Sequence, residues 1–170
     1  MFFKPDIQSV RFKREGEKLS LPGDNINSGD QMELNVDDME GNIKSYYYSV
    51  QLCDYDWNPV DISTFIYIKG FTQQRITLYR FSSIALTRYT HYQALLPDQG
   101  TSITLSGNYI VKVYLNGDTS NLVFTKRLMV LDQKASISAQ VVQTFSPQLF
   151  SSSQKLRFNA NIKGLNSFSA

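Results

Sequence analysis

Polar and apolar residues alternate along most of this chain. Met32, Leu34 and Val36 are separated by Glu33, Asn35 and Asp37. Tyr46, Tyr48, Val50 and Leu52 alternate with Tyr47, Ser49, Gln51 and Cys53, and Tyr109, Val111, Val113 and Leu115 with Asn108, Ile110, Lys112 and Tyr114. Near the end, Leu156, Phe158, Ala160 and Ile162 alternate with Arg157, Asn159 and Asn161. In extended backbone successive side chains leave opposite faces, so each run predicts a strand with one face on a core and the other nearer water. Weaker runs predict strands over 7–13, 17–21, 76–82, 91–96, 122–131 and 136–142. Gly23-Asp24-Asn25, Gly41-Asn42, Asp98-Gln99-Gly100 and Asn116-Gly117-Asp118 punctuate them with residues that tolerate positive φ. The Gly41-Asn42 and Asn116-Gly117 pairs predict hairpin turns. No window sustains a helical period, and the best helical candidate is a short turn over 61–68.

The resulting fold class is all-β, an immunoglobulin-like antiparallel sandwich. Ser106-Gly107-Asn108-Tyr109 carries that reading furthest, because a Tyr at the start of a long alternating strand is the signature of a tyrosine corner. Tyr109 is therefore assigned a structural role. The stretch from Asp54 to Gln74 does not alternate and is too long for a hairpin, which suggests a crossover between sheets. Beyond Asp132-Gln133-Lys134 the composition turns rich in Ser and Gln. Residues 1–132 read as one sandwich, and 133–170 as a linker and the first strands of a second, truncated β-domain. The alternative is that the tail strands complete the first sheet or swap into a partner.

Ten Tyr and eleven Phe, with abundant Val, Ile and Thr, reinforce the strand reading. Seventeen Lys and Arg against fifteen Asp and Glu give a net charge of +2, no footprint for nucleic acid. The basic run Arg11-Phe12-Lys13-Arg14 is followed by Glu15 and Glu17 and reads as a guarded strand edge more readily than as a phosphate or lipid contact. Cys53 is the only cysteine, and no apolar run is long enough to span a bilayer as a helix.

Candidate chemistry is sparse. Asp54-Tyr55-Asp56-Trp57-Asn58 opens as an EF-hand loop does, but Pro59 and Phe65 stand where such a loop needs Gly and a bidentate Glu. A looser oxygen site would use Asp54, Asp56 and Asp61, while Asx-type turns account for the same acids without a metal. His91 is the sole imidazole, so any His-based general base must be His91; no acid is near it in sequence, and it reads as a structural residue. Asp37, Asp38, Glu40, Asp54 and Asp56 are available as paired carboxylates, but a small sandwich offers little cleft. No Gly-rich phosphate loop is present. The expectation is a protein without catalytic residues, metal or cofactor. Trp57, the only tryptophan, either anchors a binding loop or folds down as a lid on the core, and the lid is the preferred reading.

Read in order, several segments resemble the plug protein family of the type IX secretion system of Bacteroidota. They are Leu19-Ser20-Leu21-Pro22, Leu34-Asn35-Val36-Asp37-Asp38, Cys53-Asp54-Tyr55-Asp56-Trp57, Gly70-Phe71, Tyr89-Thr90-His91-Tyr92, Ser106-Gly107-Asn108-Tyr109 and Lys126-Arg127-Leu128-Met129-Val130. The resemblance covers roughly residues 5–132, and the following stretch is similar to the start of the family's next domain. It implies a non-catalytic periplasmic protein, associated with the outer membrane, that acts as a monomer in complex. Such a protein plugs or braces the periplasmic mouth of the outer-membrane translocon barrel. On that reading the partner-contact loop is Asp54–Phe71, with Asp56, Trp57, Asn58, Phe65, Tyr67 and Phe71 as contacts. The alternative is a secreted ligand-binding sandwich such as a carbohydrate-binding module. Tyr46, Tyr47, Tyr48 and Trp57 would supply its stacking rings, although alternation sends Tyr46 and Tyr48 to the core face.

Overall fold

The computed structural model describes residues 3–18, 20, 22–26, 29, 31–83 and 86–162. The strands of the first 132 residues are β1 (Ile7–Arg14), β2 (Gly23–Asn25), β3 (Met32–Asp38), β4 (Tyr46–Cys53), β5 (Ile68–Gly70), β6 (Gln73–Arg75), β7 (Leu78–Phe81), β8 (Thr90–Leu96), β9 (Thr101–Ile103), β10 (Gly107–Leu115) and β11 (Leu122–Leu131), with one helical turn, α1 (Thr64–Tyr67), between β4 and β5. β1, β3, β8 and β7, in that order, form a four-stranded antiparallel sheet. β2, β11, β10, β4 and β6 form a five-stranded sheet, antiparallel except where β2 runs parallel to β11. The first sheet thus holds the A, B, E and D places of an immunoglobulin-type sandwich, and β4, β10 and β11 hold C, F and G.

The alternation read from the sequence is the alternation of burial. Met32, Leu34 and Val36 of β3 are buried together with Tyr92 and Leu96 of β8, and they meet Tyr48, Tyr109, Val111, Val113 and Leu128 of the opposite sheet in one cluster. β3 ends on Asp38, which the same alternation turns inward, and its carboxylate is fully buried. A buried charge must be paired and hydrogen-bonded. Asp38 receives Lys44 Nζ at 2.9 Å, the Tyr46 hydroxyl at 2.7 Å and the Glu40 N–H at 3.0 Å. The Tyr92 hydroxyl accepts the Lys44 N–H at 2.7 Å, and the Tyr46 and Tyr92 rings meet edge to face at 4.8 Å. This network fixes the path from β3 to β4.

Several expectations are corrected here. Gly23-Asp24-Asn25 is not a turn but strand β2, because the outer side of β11 needs partners: Met129 N–H donates to the Pro22 carbonyl and Ile26 N–H to the Leu131 carbonyl. The strand expected over 17–21 is not formed at Glu17, Lys18 or Ser20, and Leu19 and Leu21 lie outside the described residues. Gly41-Asn42 does not close a hairpin. It joins β3 and β4, which belong to different sheets, although Gly41 has the expected positive φ of 70°. The stretch 54–74 is not the crossover between sheets, since it joins β4 to β6 within one sheet. The crossover lies at 76–77, where Ile76 is buried, and this break shortens the strand expected over 76–82 to β7.

After Asp132 the chain forms a separate compact unit. Two strands, β12 (Ala135–Val142) and β13 (Lys155–Ile162), pair antiparallel along their whole length in a sheet of their own. The alternation predicted for 155–162 holds as a face, with Ile137, Val141, Leu156 and Phe158 on one side, but all four are exposed.

Candidate functional site

The segment from β4 to β6 begins with a tight turn. The Asp54 carboxylate accepts the N–H groups of Asp56 and Asn58, each at 2.9 Å, and the Asn58 side chain at 3.3 Å. The Asn58 N–H, then the Asn58 amide and Asp56 N–H, hold the Asp54 carboxyl below its usual range. The Asp54 carboxylate therefore serves an Asx-type turn, and among the described residues no group of three or more His, Cys, Asp or Glu is placed to hold a metal ion. Asn108 of β10 donates to the Asp54 carbonyl at 3.1 Å and ties the turn to the sheet.

Trp57 sits at φ 68°, a left-handed backbone that costs a non-glycine residue roughly 1–2 kcal/mol. Its ring does not join the core, which corrects the reading of it as a lid. It lies half-buried with the Arg127 guanidinium 4.4 Å from its centre, a contact worth about 0.5–1 kcal/mol at such a site.

The second half of the segment is held from below. The single turn α1 carries Tyr67 inward, where its ring packs 5.8 Å from that of Tyr109. Tyr67 is 1% exposed, so it is an anchor and not a contact residue, against the expectation. The Tyr109 hydroxyl donates to the Leu105 carbonyl at 2.8 Å, the closure of a tyrosine corner. β5 then pairs with β9. At Gly70 (φ 100°) a Cβ would lie 1.9 Å from the Gly100 carbonyl oxygen, so only glycine fits.

On this frame the outward residues are Tyr55, Phe65, Ile66 and Phe71, at 85%, 79%, 56% and 69% exposure, with Asp56 and Asn58 also exposed. Of the residues expected to form a contact loop, Phe65 and Phe71 are presented to solvent, Asp56 and Asn58 shape the turn, Trp57 lies against Arg127 and Tyr67 is enclosed. Tyr55 and Ile66 were not anticipated. Phe65-Ile66-Tyr67-Ile68 is a continuous apolar run, and only the helical turn decides which members face out.

His91 has an acid beside it after all. The β3–β8 register sets it opposite Asp37, with Nδ1 2.6 Å from the Asp37 carboxylate and Nε2 3.1 Å from the Asn35 amide oxygen. Both ring nitrogens are thus engaged by the outer face of the sheet, and no serine, threonine or cysteine is among the partners. Cys53 is buried in the other sheet, and burial pushes its thiol up from its ordinary range. Tyr46 and Tyr48 are buried as alternation predicts, with hydroxyls on Asp38 and Gln74. Among the described residues no helix is long and apolar enough to cross a membrane.

Comparison with curated proteins found no match. Among solved structures, the crystal structure of a hypothetical protein from Parabacteroides merdae ATCC 43184 is similar over 95% of this chain, at 29% identity and a TM-score of 0.78. This chain spans 41% of that one. The Pseudomonas fluorescens alkylpurine DNA glycosylase AlkC bound to DNA containing an abasic site analog aligns over 74% of this chain and 30% of its own, at 7% identity and a TM-score of 0.34, too low to inform the fold. The model of the type 9 secretion system plug protein 1st domain matches residues 7–132. That match opens on the first residue of β1 and closes one residue past β11, so it spans the sandwich just described, and the chain belongs to the type 9 secretion system plug protein family, a family of structural secretion components and not a known enzyme family.

Proposed function

We propose that this chain works in the periplasm, at the outer membrane, as a non-catalytic part that plugs or braces the periplasmic mouth of the type 9 translocon barrel. Its contact surface is the 54–71 segment. The observation that carries the reading is the presentation of Tyr55, Phe65 and Phe71 on backbone pinned by Asp54, Tyr67 and Gly70. Exposed aromatic rings on a rigid frame are what protein interfaces use as anchors, since little ordering entropy is lost on docking. The glycan-binding alternative is left with few rings, because Tyr46 and Tyr48 are enclosed and Trp57 is covered on one side by Arg127.

The test is capture of the translocon barrel from an outer-membrane extract by the purified chain. The double variant Phe65→Ser/Phe71→Ser should lose at least about tenfold in capture, in line with interface anchors worth more than ~1 kcal/mol each, and keep its melting temperature. Undiminished capture would remove the segment from the interface.

A further inference from the structure

Each sheet ends in strands with half their backbone groups unpaired, and such edges add foreign strands unless guarded. This sandwich has four: β1 and β7 in one sheet, β2 and β6 in the other. β1 is guarded three ways. It carries Arg11 and Lys13, its register shifts between Gln8 and Arg11, and its Arg14 N–H is capped by the Ser20 hydroxyl at 2.6 Å. β2 and β6 are three residues each, Gly23-Asp24-Asn25 and Gln73-Gln74-Arg75, without an apolar side chain.

β7 has none of these guards except Arg80. It reads Leu78-Tyr79-Arg80-Phe81, and its register against β8 is uninterrupted. Leu78, Tyr79 and Phe81 are 61%, 42% and 56% exposed. The Ser82 N–H donates to the Tyr89 carbonyl at 3.0 Å and continues the β7–β8 ladder. In an antiparallel ladder bonded pairs alternate, so Arg80 and Leu78 share that phase and turn their backbone groups to β8. Tyr79 and Phe81 therefore direct theirs away from the sheet, and no other element among the described residues bonds them.

We propose that β7 is an acceptor edge: it takes an extended segment of another protein, antiparallel, with apolar residues opposite Tyr79 and Phe81 and an acidic residue opposite Arg80. Residues directly opposite share a face and interact. The Tyr79 ring lies on the core side, 5.9 Å from Tyr92 and 6.0 Å from Phe81, which calls for apolar neighbours. Arg80 stands on the other face opposite His91, whose own carboxylate is Asp37, and among the described residues no acid forms an ion pair with Arg80. A second copy is disfavoured by the same register. Pairing two β7 strands through Tyr79 and Phe81 sets Tyr79 against Phe81 in both directions, and it brings the two Arg80 side chains directly opposite each other. The occupant is therefore a different chain of opposite charge. This edge is distinct from the 54–71 segment and stands or falls without it.

The probe is a short capped peptide with one central glutamate flanked by valines, titrated by fluorescence anisotropy against the whole chain. It should bind saturably, and the lysine-centred peptide at least about fivefold more weakly. Arg80→Glu should invert that preference. Phe81→Pro removes both the exposed ring and an N–H that points away from β8, so the β7–β8 ladder survives and binding is lost, whereas Phe81→Leu, which keeps the N–H and an apolar side chain, should retain binding. N-methylation of the peptide amides that face β7 should abolish binding, and methylation of the others should not. An unchanged order of preference in Arg80→Glu, equal binding of both N-methylated peptides, or self-association of the chain that Phe81→Pro abolishes would each overturn the proposal.

Discussion

Asp38 is the residue on which the sandwich most depends for a single polar interaction set. Its charge is buried, and Lys44, Tyr46 and the Glu40 N–H are fixed around it. Asp38→Ala should cost about 3 kcal/mol, the low end for removing one partner of a buried pair, because Lys44 keeps Glu40 at 3.0 Å. Urea unfolding measures it; a loss under about 1 kcal/mol would mean that water replaces the carboxylate. The buried phenols set the alkaline limit. Burial raises Tyr46, Tyr48 and Tyr109 well above the ordinary tyrosine range, helped by the charges of Asp38 at Tyr46 and Asp98 at Tyr48. A group raised in the folded state lends its full stability below its unfolded value and loses it as pH climbs. Stability should therefore hold to about pH 9 and fall above about pH 10, where unfolded tyrosine ionises. The phenolate absorbance of these rings should appear only with unfolding. If it rises while the circular dichroism stays native, the rings are not enclosed.

Among the elements, α1 separates anchor from surface within four residues. Tyr67→Ala should cost about 3–5 kcal/mol, as truncation of a large core side chain does, while Phe65→Ser changes stability by less than about 0.5 kcal/mol. Equal effects in thermal melts would contradict the assignment. The long strands β3, β4, β8, β10 and β11 were legible in the sequence because each buries one face, and burial of one face writes period two into the chain. The short strands β2, β5, β6 and β9 left no such mark. Three residues hold too little alternation, and these strands exist because a longer neighbour's backbone needs partners. For the same reason the route of 54–74 was misread: its length was visible, but the sheet it returns to is set by β4 and not by the segment itself. Of the proposed contact loop, the aromatic content was legible and the direction of each ring was not. Trp57 depends on an arginine seventy positions away, and His91 on an aspartate that only the strand register brings near.

For the molecule as a whole, the division after Asp132 has a direct consequence. Residues 1–132 produced alone should melt cooperatively within a few degrees of the 170-residue chain, since the core cluster lies within them. A chain ending before Leu122 should fail to fold, because it lacks the strand that supplies Val123, Phe124, Leu128 and Val130 to the core. The parallel pairing of β2 with β11 adds a statement about time. Phe3 bridges Phe124, and residues 23–25 lie against 129–131, so these early segments of the sandwich wait for its last strand. The entropy of closing so long a loop is met only when nearly the whole domain is present, and such non-local topologies fold slowly. β1 can pair with β3 early, but until Leu131 is available β2 has no partner strand and the second sheet is unfinished, so a chain threaded through a membrane from its N-terminus would carry an incomplete core almost to the end of the domain.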